Sequence, residues 1–171
     1  MRAHLLLLGL VLAGCSPQVP AAEVGVPVPD AAQEATVVRG VDGDTVVLRG
    51  RGSGPLPASP TRVRVLLVDT PEVSGEAECF GEQAAERAAQ LLPEGAAVRV
   101  LADRARLDRF DRALLHIWTP GGVNVGEALV REGLATVLVL PPNRVYEQEF
   151  RAAEREAQQA GRGLWGACES G

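Results

Sequence analysis

Apolar residues, many of them β-branched, are concentrated in five short runs along the chain. β-Branched side chains suit the pleated surface of a sheet, and residues that favour turns, such as glycine, proline and aspartate, lie between most of the runs. We therefore expect strands at residues 36–39, 45–48, 61–68, 98–101 and 113–118. Five short strands with turns between them predict a small β-barrel.

Three further segments repeat apolar residues at helical spacing. The first covers residues 80–91 and ends before a Pro-Glu-Gly turn. In the second, Asn124 and Glu127 occupy the positions of a capping box, and Gly133 marks the end of the helix. The third has an apolar stripe over residues 146–160. The chain is therefore predicted to be an α+β protein, with a five-stranded barrel and three α-helices.

The N-terminal residues are typical of an export signal. Arg2 precedes an apolar run over residues 5–13, which is too short to span a bilayer as a helix. The sequence Leu-Ala-Gly-Cys that ends at Cys15 resembles a bacterial lipobox. We expect residues 1–14 to be a lipoprotein signal peptide and Cys15 to be the lipid anchor. The alternative is a free or buried thiol that follows an ordinary signal.

Residues 15–34 are rich in proline and alanine and show no apolar periodicity. This composition predicts an extended linker, so the folded domain is expected to cover residues 35–171. Together with the signal, the linker predicts an extracytoplasmic lipoprotein that is anchored to a membrane of the cell envelope.

Two more cysteines, Cys79 and Cys168, lie within the expected domain. An exported chain reaches an oxidising compartment, which favours a disulfide between them. Closing so long a loop would stabilise the fold by about 4 to 5 kcal/mol in the chain-entropy model. Two unrelated buried thiols are the alternative.

Composition limits the class of partner. The 171 residues are 46% hydrophobic and 23% charged, which suits one globular domain with a short appendage. A formal charge of −5 argues against a general nucleic-acid coat protein, whose affinity comes from broad phosphate neutralisation. A local basic cleft is still compatible with this charge, because several arginines lie within residues 99–112. All 17 basic residues are arginine, whose planar side chain suits phosphate contacts.

Charged residues lie within and directly after one predicted apolar strand, which indicates a functional site. Arg64 lies inside the strand at residues 61–68, and Asp69 and Glu72 follow its end. A buried charge is costly unless it is paired, metal-bound or catalytic. With Asp44 and Arg112, these residues predict a phosphodiesterase site. Taken singly, each has a structural alternative: Asp44 in a turn, Asp69 at a helix start, and Arg64 or Arg112 exposed on a strand.

Four segments occur in the order seen in the staphylococcal nuclease (thermonuclease) family, which the chain therefore resembles. They are residues 42–45, 64–72, 108–112 and 124–135. The resemblance extends over residues 36–166 and implies an OB-fold barrel, a calcium ion, and hydrolysis of DNA and RNA. We expect such a nuclease to be a monomer.

The resemblance also implies a role for individual positions. Those matching the calcium ligands are Asp44, Asp69 and Thr70, the last through its backbone carbonyl. The position matching the general base is Glu72, and those matching the arginines on the scissile phosphate are Arg64 and Arg112. Weaker matches to substrate contacts are Arg109 and Phe110. Calcium prefers oxygen ligands, and arginine can donate paired hydrogen bonds to phosphoryl oxygens as charge builds there.

Some positions are expected to have structural roles, and others differ from the family. Phe110 is expected in the core rather than as a stacking platform, and His116 is expected to be structural. Asp111 replaces a residue that is often glycine in the family, so it either orients Arg112 or repels substrate. Residues 135–142 lack tyrosines, which predicts weaker base stacking. The alternative functions are a noncatalytic OB-fold lipoprotein that binds nucleic acid or protein, and a structural envelope lipoprotein.

Overall fold

A computed structural model describes residues 25–75 and 78–168. The signal peptide and Cys15 lie outside this part of the chain. Within it, five strands close into a barrel in the order β1-β2-β3-β5-β4. The strands are β1 (Gln33–Gly40), β2 (Thr45–Gly50), β3 (Pro60–Val65), β4 (Ala97–Leu107) and β5 (Ala113–Trp118). This architecture confirms the predicted α+β class with a five-stranded OB-fold barrel.

Neighbouring strands in the barrel are antiparallel except β3 and β5, which pair in parallel. A parallel pair requires a crossover connection, and in this barrel the chain passes through a helix and β4 between the two strands. β3 ends at Val65, earlier than the predicted residue 68, because Leu67 adopts a left-handed conformation with φ of 64°. The strand therefore contains Arg64 and stops just before Asp69, Thr70 and Glu72, which the sequence also places in the site.

Four helical segments accompany the barrel in the described part of the chain. They are α1 (Gly81–Leu91), α2 (Val125–Arg131), α3 (Glu147–Gln159) and a single turn, α4 (Leu164–Ala167). The first three confirm the predicted helices. None of the helices in the described part of the chain combines the length and the apolar character needed to cross a membrane.

The predicted capping box of α2 is only half formed. Asn124 caps the helix, since its side-chain oxygen accepts a hydrogen bond of 3.1 Å from the backbone N–H of Glu127. The Glu127 carboxylate does not return to Asn124. Instead it accepts a hydrogen bond of 2.6 Å from the N–H of Val26 and pairs with Arg131 at 2.5 Å. Glu127 therefore ties the N-terminal segment to α2.

Residues 25–34 belong to the packed body of the protein. Val26 is buried, and its carbonyl accepts a hydrogen bond of 2.9 Å from the indole N–H of Trp118. Arg99 donates to the carbonyl of Ala32 at 3.0 Å. The packed region therefore includes residues that the sequence places in the linker. Local composition could not reveal this, because the bonding partners lie far along the chain.

A disulfide joins the start of α1 to the C-terminal tail. Cys79 and Cys168 form the bridge that the sequence analysis expects, with their Cα atoms 6.0 Å apart. The tail is also held where α2 ends, at Gly133, whose φ is 74°. A side chain there would clash with the backbone carbonyl of Arg162, so only glycine allows this close approach.

Candidate active site

One small cavity gathers the residues that the sequence selects for metal binding and catalysis. Its volume is about 180 Å³, and it is lined by Asp42, Asp44, Arg64, Asp69, Thr70, Pro71, Glu72 and Arg112. These side chains come from the β1–β2 turn, from β3 and the segment after it, and from the residue before β5. All six positions expected to bind metal or act in catalysis therefore converge.

Asp44 is fixed by a tight turn between β1 and β2. The Asp42 carboxylate accepts hydrogen bonds from the backbone N–H groups of Asp44 at 3.1 Å and Thr45 at 2.7 Å. The Asp44 carboxylate is buried and accepts hydrogen bonds from the hydroxyls of Thr45 and Thr70. Burial raises the pKa of Asp44, and Asp42 adds to this, although Arg64 opposes it. A further cation beside Asp44 would favour its charged form.

Arg64 is the central cation of the site. It is only 5% exposed, and its guanidinium nitrogens lie 3.0 Å from Asp44 Oδ2 and 2.8 Å from Asp69 Oδ1. It also donates a hydrogen bond of 2.6 Å to the carbonyl of Val68. The alternative in which Arg64 points outward as a solvated charge is therefore wrong. Arg64 instead fixes two carboxylates next to each other.

The segment after β3 must turn back to reach Arg64. Leu67 makes this turn with its positive φ, although it is a buried branched residue for which such a conformation costs of order 1 to 2 kcal/mol. Asp69 then pairs with Thr136 through two backbone hydrogen bonds of 2.9 Å each. Leu67 is thus a site-shaping residue that sequence reasoning missed, because an apolar residue carries no signal for a left-handed turn.

Arg112 is oriented by Asp108. Its Nε donates a hydrogen bond of 2.7 Å to Asp108 Oδ2, while its Nη1 lies 3.3 Å from the hydroxyl of Thr45. Although partial burial alone would raise it, the pKa of Asp108 is lowered because its carboxylate accepts hydrogen bonds from Arg112 and from the backbone N–H of Phe110. The residue that orients Arg112 is therefore Asp108, whereas the sequence analysis considered Asp111 for this role. The Asp-x-x-x-Arg spacing is the signal that could have found it.

Glu72 is exposed and lines the same cavity. Its backbone is held on both sides by Glu78: the Glu72 N–H donates to Glu78 Oε2, and the Glu78 N–H donates to the Glu72 carbonyl, each at 3.0 Å. Cys79 of the disulfide follows directly. The Glu72 carboxylate itself forms no ion pair or side-chain hydrogen bond with the other described residues, so it is available to accept a proton.

Arg109 and Phe110 lie beside this cavity rather than in it. The Phe110 ring is 63% exposed, so the expectation that it belongs to the core is wrong. The guanidinium carbon of Arg109 lies 4.7 Å from the centre of the ring, within the range of a cation–π contact. An adjoining cavity of about 450 Å³ is walled by Phe110 together with Leu138, Leu140 and Pro141. The same cavity is also lined by Arg64, Asp108, Arg109 and Arg112, so it combines apolar and charged groups around the Phe110 ring.

The donor atoms of the site are oxygens. Asp44 and Asp69 present carboxylate oxygens to the same guanidinium, and Thr70 adds its own oxygens beside Asp44. In the two described ranges, no three His, Cys, Asp or Glu side chains are grouped so that they could hold a metal ion. The oxygens of Asp44, Asp69 and Thr70 fit a hard cation like calcium better than they fit zinc. Calcium can complete its shell with water and substrate oxygens.

The lining is also short of positive charge. Four carboxylates face two guanidinium groups, which leaves a formal charge of −2 around the cavity. An anionic phosphate would be repelled by such a lining unless a cation accompanied it. The charge of the lining and the type of its donor atoms would therefore fit a divalent cation.

The chain is similar to known nucleases over most of its length. The family model described as staphylococcal nuclease homologue matches residues 62–167, more than half of the chain, and Asp44 lies ahead of that range. Endonuclease YncB of Bacillus subtilis is 34% identical over 134 residues, covering 76% of this chain and 60% of the relative. The SPbeta prophage-derived endonuclease YokF of the same organism is 33% identical over 136 residues, covering 77% and 44% respectively.

A thermonuclease of Staphylococcus hyicus is 29% identical over 136 residues, which covers 78% of this chain and 76% of the relative. The chain thus spans most of this relative but less than two thirds of each of the two Bacillus endonucleases. The family match at residues 62–167 includes most of β3, all of β4 and β5, and the four helical segments.

Proposed function

The chain belongs to the staphylococcal nuclease family, and on this premise we propose that it is a calcium-dependent endonuclease. Its substrates would be DNA and RNA, cleaved at phosphodiester bonds with little sequence preference. The observation that supports this most strongly is the convergence of Arg64, Arg112 and Glu72 with two carboxylates on one cavity. The names of its relatives, endonuclease and thermonuclease, agree with it.

Two arginines are available to bind the scissile phosphate. Arg64 and Arg112 approach the cavity from different elements, and each is held by carboxylates that leave other N–H groups free to donate. Planar guanidinium groups form paired hydrogen bonds with phosphoryl oxygens. These bonds strengthen as negative charge builds on the phosphoryl oxygens in the transition state. Asp108 keeps Arg112 in place before substrate arrives.

Glu72 would act as the general base. Its carboxylate accepts a proton from water, the water oxygen forms a bond to phosphorus, and the bond to the leaving oxygen breaks. The leaving oxygen departs with the bonding electrons and takes a proton from solvent. The exposed position of Glu72 and its anchored backbone suit this role, because the carboxylate reaches solvent while its Cα stays fixed.

Asp44, Asp69 and Thr70 are the residues that would hold calcium. Bound there, the ion would supply the positive charge that the cavity lining lacks beside a phosphate. Since all these residues come from a single chain, the site needs no second copy, which supports action as a monomer.

The proposal is tested by measuring cleavage of DNA and RNA oligonucleotides with the purified full chain. Cleavage should vanish with EGTA and return with added calcium. Glu72→Gln and Arg112→Gln should each lower kcat, the second by on the order of 10²- to 10³-fold, as for loss of one preorganised donor. Arg155→Gln is the matched control, because Arg155 is exposed on α3. Unchanged rates in both site variants would reject the catalytic roles of Glu72 and Arg112.

We also propose that the protein is held at a membrane outside the cytoplasm by a lipid on Cys15. The supports are the short apolar run over residues 5–13 and the lipobox-like sequence that ends at Cys15. Cys15→Ser should move the protein from the membrane fraction to the soluble fraction of a bacterial expression host. Equal membrane retention of both forms would contradict the anchor.

A further inference from the structure

A second small cavity adjoins the active site on the outside of the barrel. Its volume is about 250 Å³, and it is lined by Arg62, Phe110 and Arg112. Arg112 also lines the cavity that contains Arg64 and Glu72. The two cavities are therefore neighbours that share one guanidinium group. A nucleic-acid strand with one phosphate in the first cavity could place its next phosphate in the second.

Arg62 and Arg64 lie on the same face of β3. Side chains two residues apart in a strand point the same way and are about 6.6 Å apart along it. The cross-strand register agrees, since Arg64 lies opposite Thr45 of β2 and Arg62 lies opposite Val47, two residues further along that strand. This separation is comparable to that of neighbouring phosphates in an extended nucleic-acid strand.

The electrostatic state of Arg62 differs from that of the catalytic arginines. Arg64 is paired with Asp44 and Asp69, and Arg112 is paired with Asp108. Arg62 is exposed and forms no ion pair or hydrogen bond with any residue in the described ranges. Its charge is therefore not offset by a neighbouring carboxylate, although the protein as a whole is acidic.

We propose that Arg62 binds the phosphate next to the scissile one in a polynucleotide substrate. This inference rests on the proposed nuclease function and adds a determinant of substrate length. Phe110 closes the cavity between the two arginines, with its ring centre 5.5 Å from the guanidinium carbon of Arg112. A substrate with one phosphate fills only the first cavity, whereas an oligonucleotide also gains the contact with Arg62. The enzyme should therefore prefer chains of several nucleotides over small diesters.

The first test compares Arg62→Gln with Arg155→Gln, which removes the same charge from the exposed face of α3. Each variant is measured on a single-stranded oligonucleotide and on a nitrophenyl ester of thymidine 5′-phosphate. Arg62→Gln should lower the preference for the oligonucleotide about fivefold, mainly through KM, the size of one exposed charged contact. The slope of log kcat/KM against log salt should become less steep by about 0.7, as for one lost phosphate contact on a single strand. Equal behaviour of the two variants would overturn the proposal.

The second test locates the phosphate. Oligonucleotides carry a single preferred cleavage site, fixed by phosphorothioates elsewhere, and one uncharged methylphosphonate beside it on either side. The wild-type protein should lose about fivefold in kcat/KM from neutralisation at one of these positions, and Arg62→Gln should lose nothing further there. Losses from the two changes that simply multiply at both positions would refute a contact between Arg62 and the adjacent phosphate.

The two proposals fail in different ways. If the wild-type protein cleaves no substrate, the nuclease function is wrong. Fluorescence anisotropy with the same oligonucleotides would then still decide the role of Arg62, since its replacement should weaken binding about fivefold and Arg155→Gln should not. Cleavage by the wild-type protein with no separate effect of Arg62→Gln would reject only the inference.

Discussion

His116 should make the protein sensitive to acid, and replacing it with leucine should remove that sensitivity. The imidazole lies on β5, is 1% exposed, and packs at 5.0 Å between ring centres against Tyr146. Neither ring nitrogen has a hydrogen-bond partner among the described residues. Burial lowers the pKa of His116 from 6.5 to about 4, although Asp103 opposes this. The folded state therefore resists protonation that the unfolded state accepts.

The direction and size of the effect follow from linkage. Because the folded pKa lies below the unfolded one, stability is fully present above pH 6.5 and is lost as the pH falls towards 4. At about 1.4 kcal/mol per pH unit, the loss due to His116 reaches about 2 kcal/mol at pH 5 and about 3 kcal/mol at pH 4. Leucine at this position has a similar volume, no charge to gain and no orphaned nitrogen.

Urea unfolding followed by far-ultraviolet circular dichroism measures this effect. The free energies of unfolding of wild type and His116→Leu are determined at pH 7, 5 and 4, with the disulfide intact. Carboxylate titration affects both proteins alike, so the quantity of interest is their difference. This difference should shift in favour of the variant by about 3 kcal/mol between pH 7 and pH 4. A difference that stays constant with pH would refute the reasoning.

Three other changes test particular contacts. Asp108→Asn should lower kcat about tenfold, because it loosens the hold on Arg112. Circular dichroism should show that the fold is retained, and an unchanged kcat would contradict the prediction. Replacing Cys79 and Cys168 by serine should lower the free energy of unfolding by about 4 kcal/mol in urea, given a sequence separation of 89, and a loss below about 1 kcal/mol would contradict it. Gly133→Ala should cost more than Gly95→Ala in thermal unfolding, because both have positive φ but only Gly133 faces a clash; equal losses would argue against the clash.

Local patterns were sufficient to predict most elements of the fold. The run at residues 113–118 coincides with β5, and Asn124 caps α2 as predicted. These features depend on interactions within a few residues, such as a cap that reaches the N–H three positions ahead. The resemblance to one family then implied the OB-fold barrel and a role for each of the six site residues, which a single turn or strand could not.

Contacts between distant residues were beyond the reach of local patterns. The segment at residues 25–34 has the composition of a linker, yet Val26 bonds to Glu127 across 101 positions. Leu67 adopts a conformation that its side chain disfavours, and tertiary packing around it determines the choice. The same holds for Phe110, which is aromatic but remains exposed.

The sequence alone thus determined which chemical groups this protein has and, through spacing, the elements that carry them. Only the tertiary structure decided which charges meet: Arg64 with Asp44 and Asp69, Arg112 with Asp108, and Arg62 with no described partner. The reason is physical. The energy of a charge depends on its distance to other charges and on its exposure to water, and barrel closure sets both only after the strands have paired.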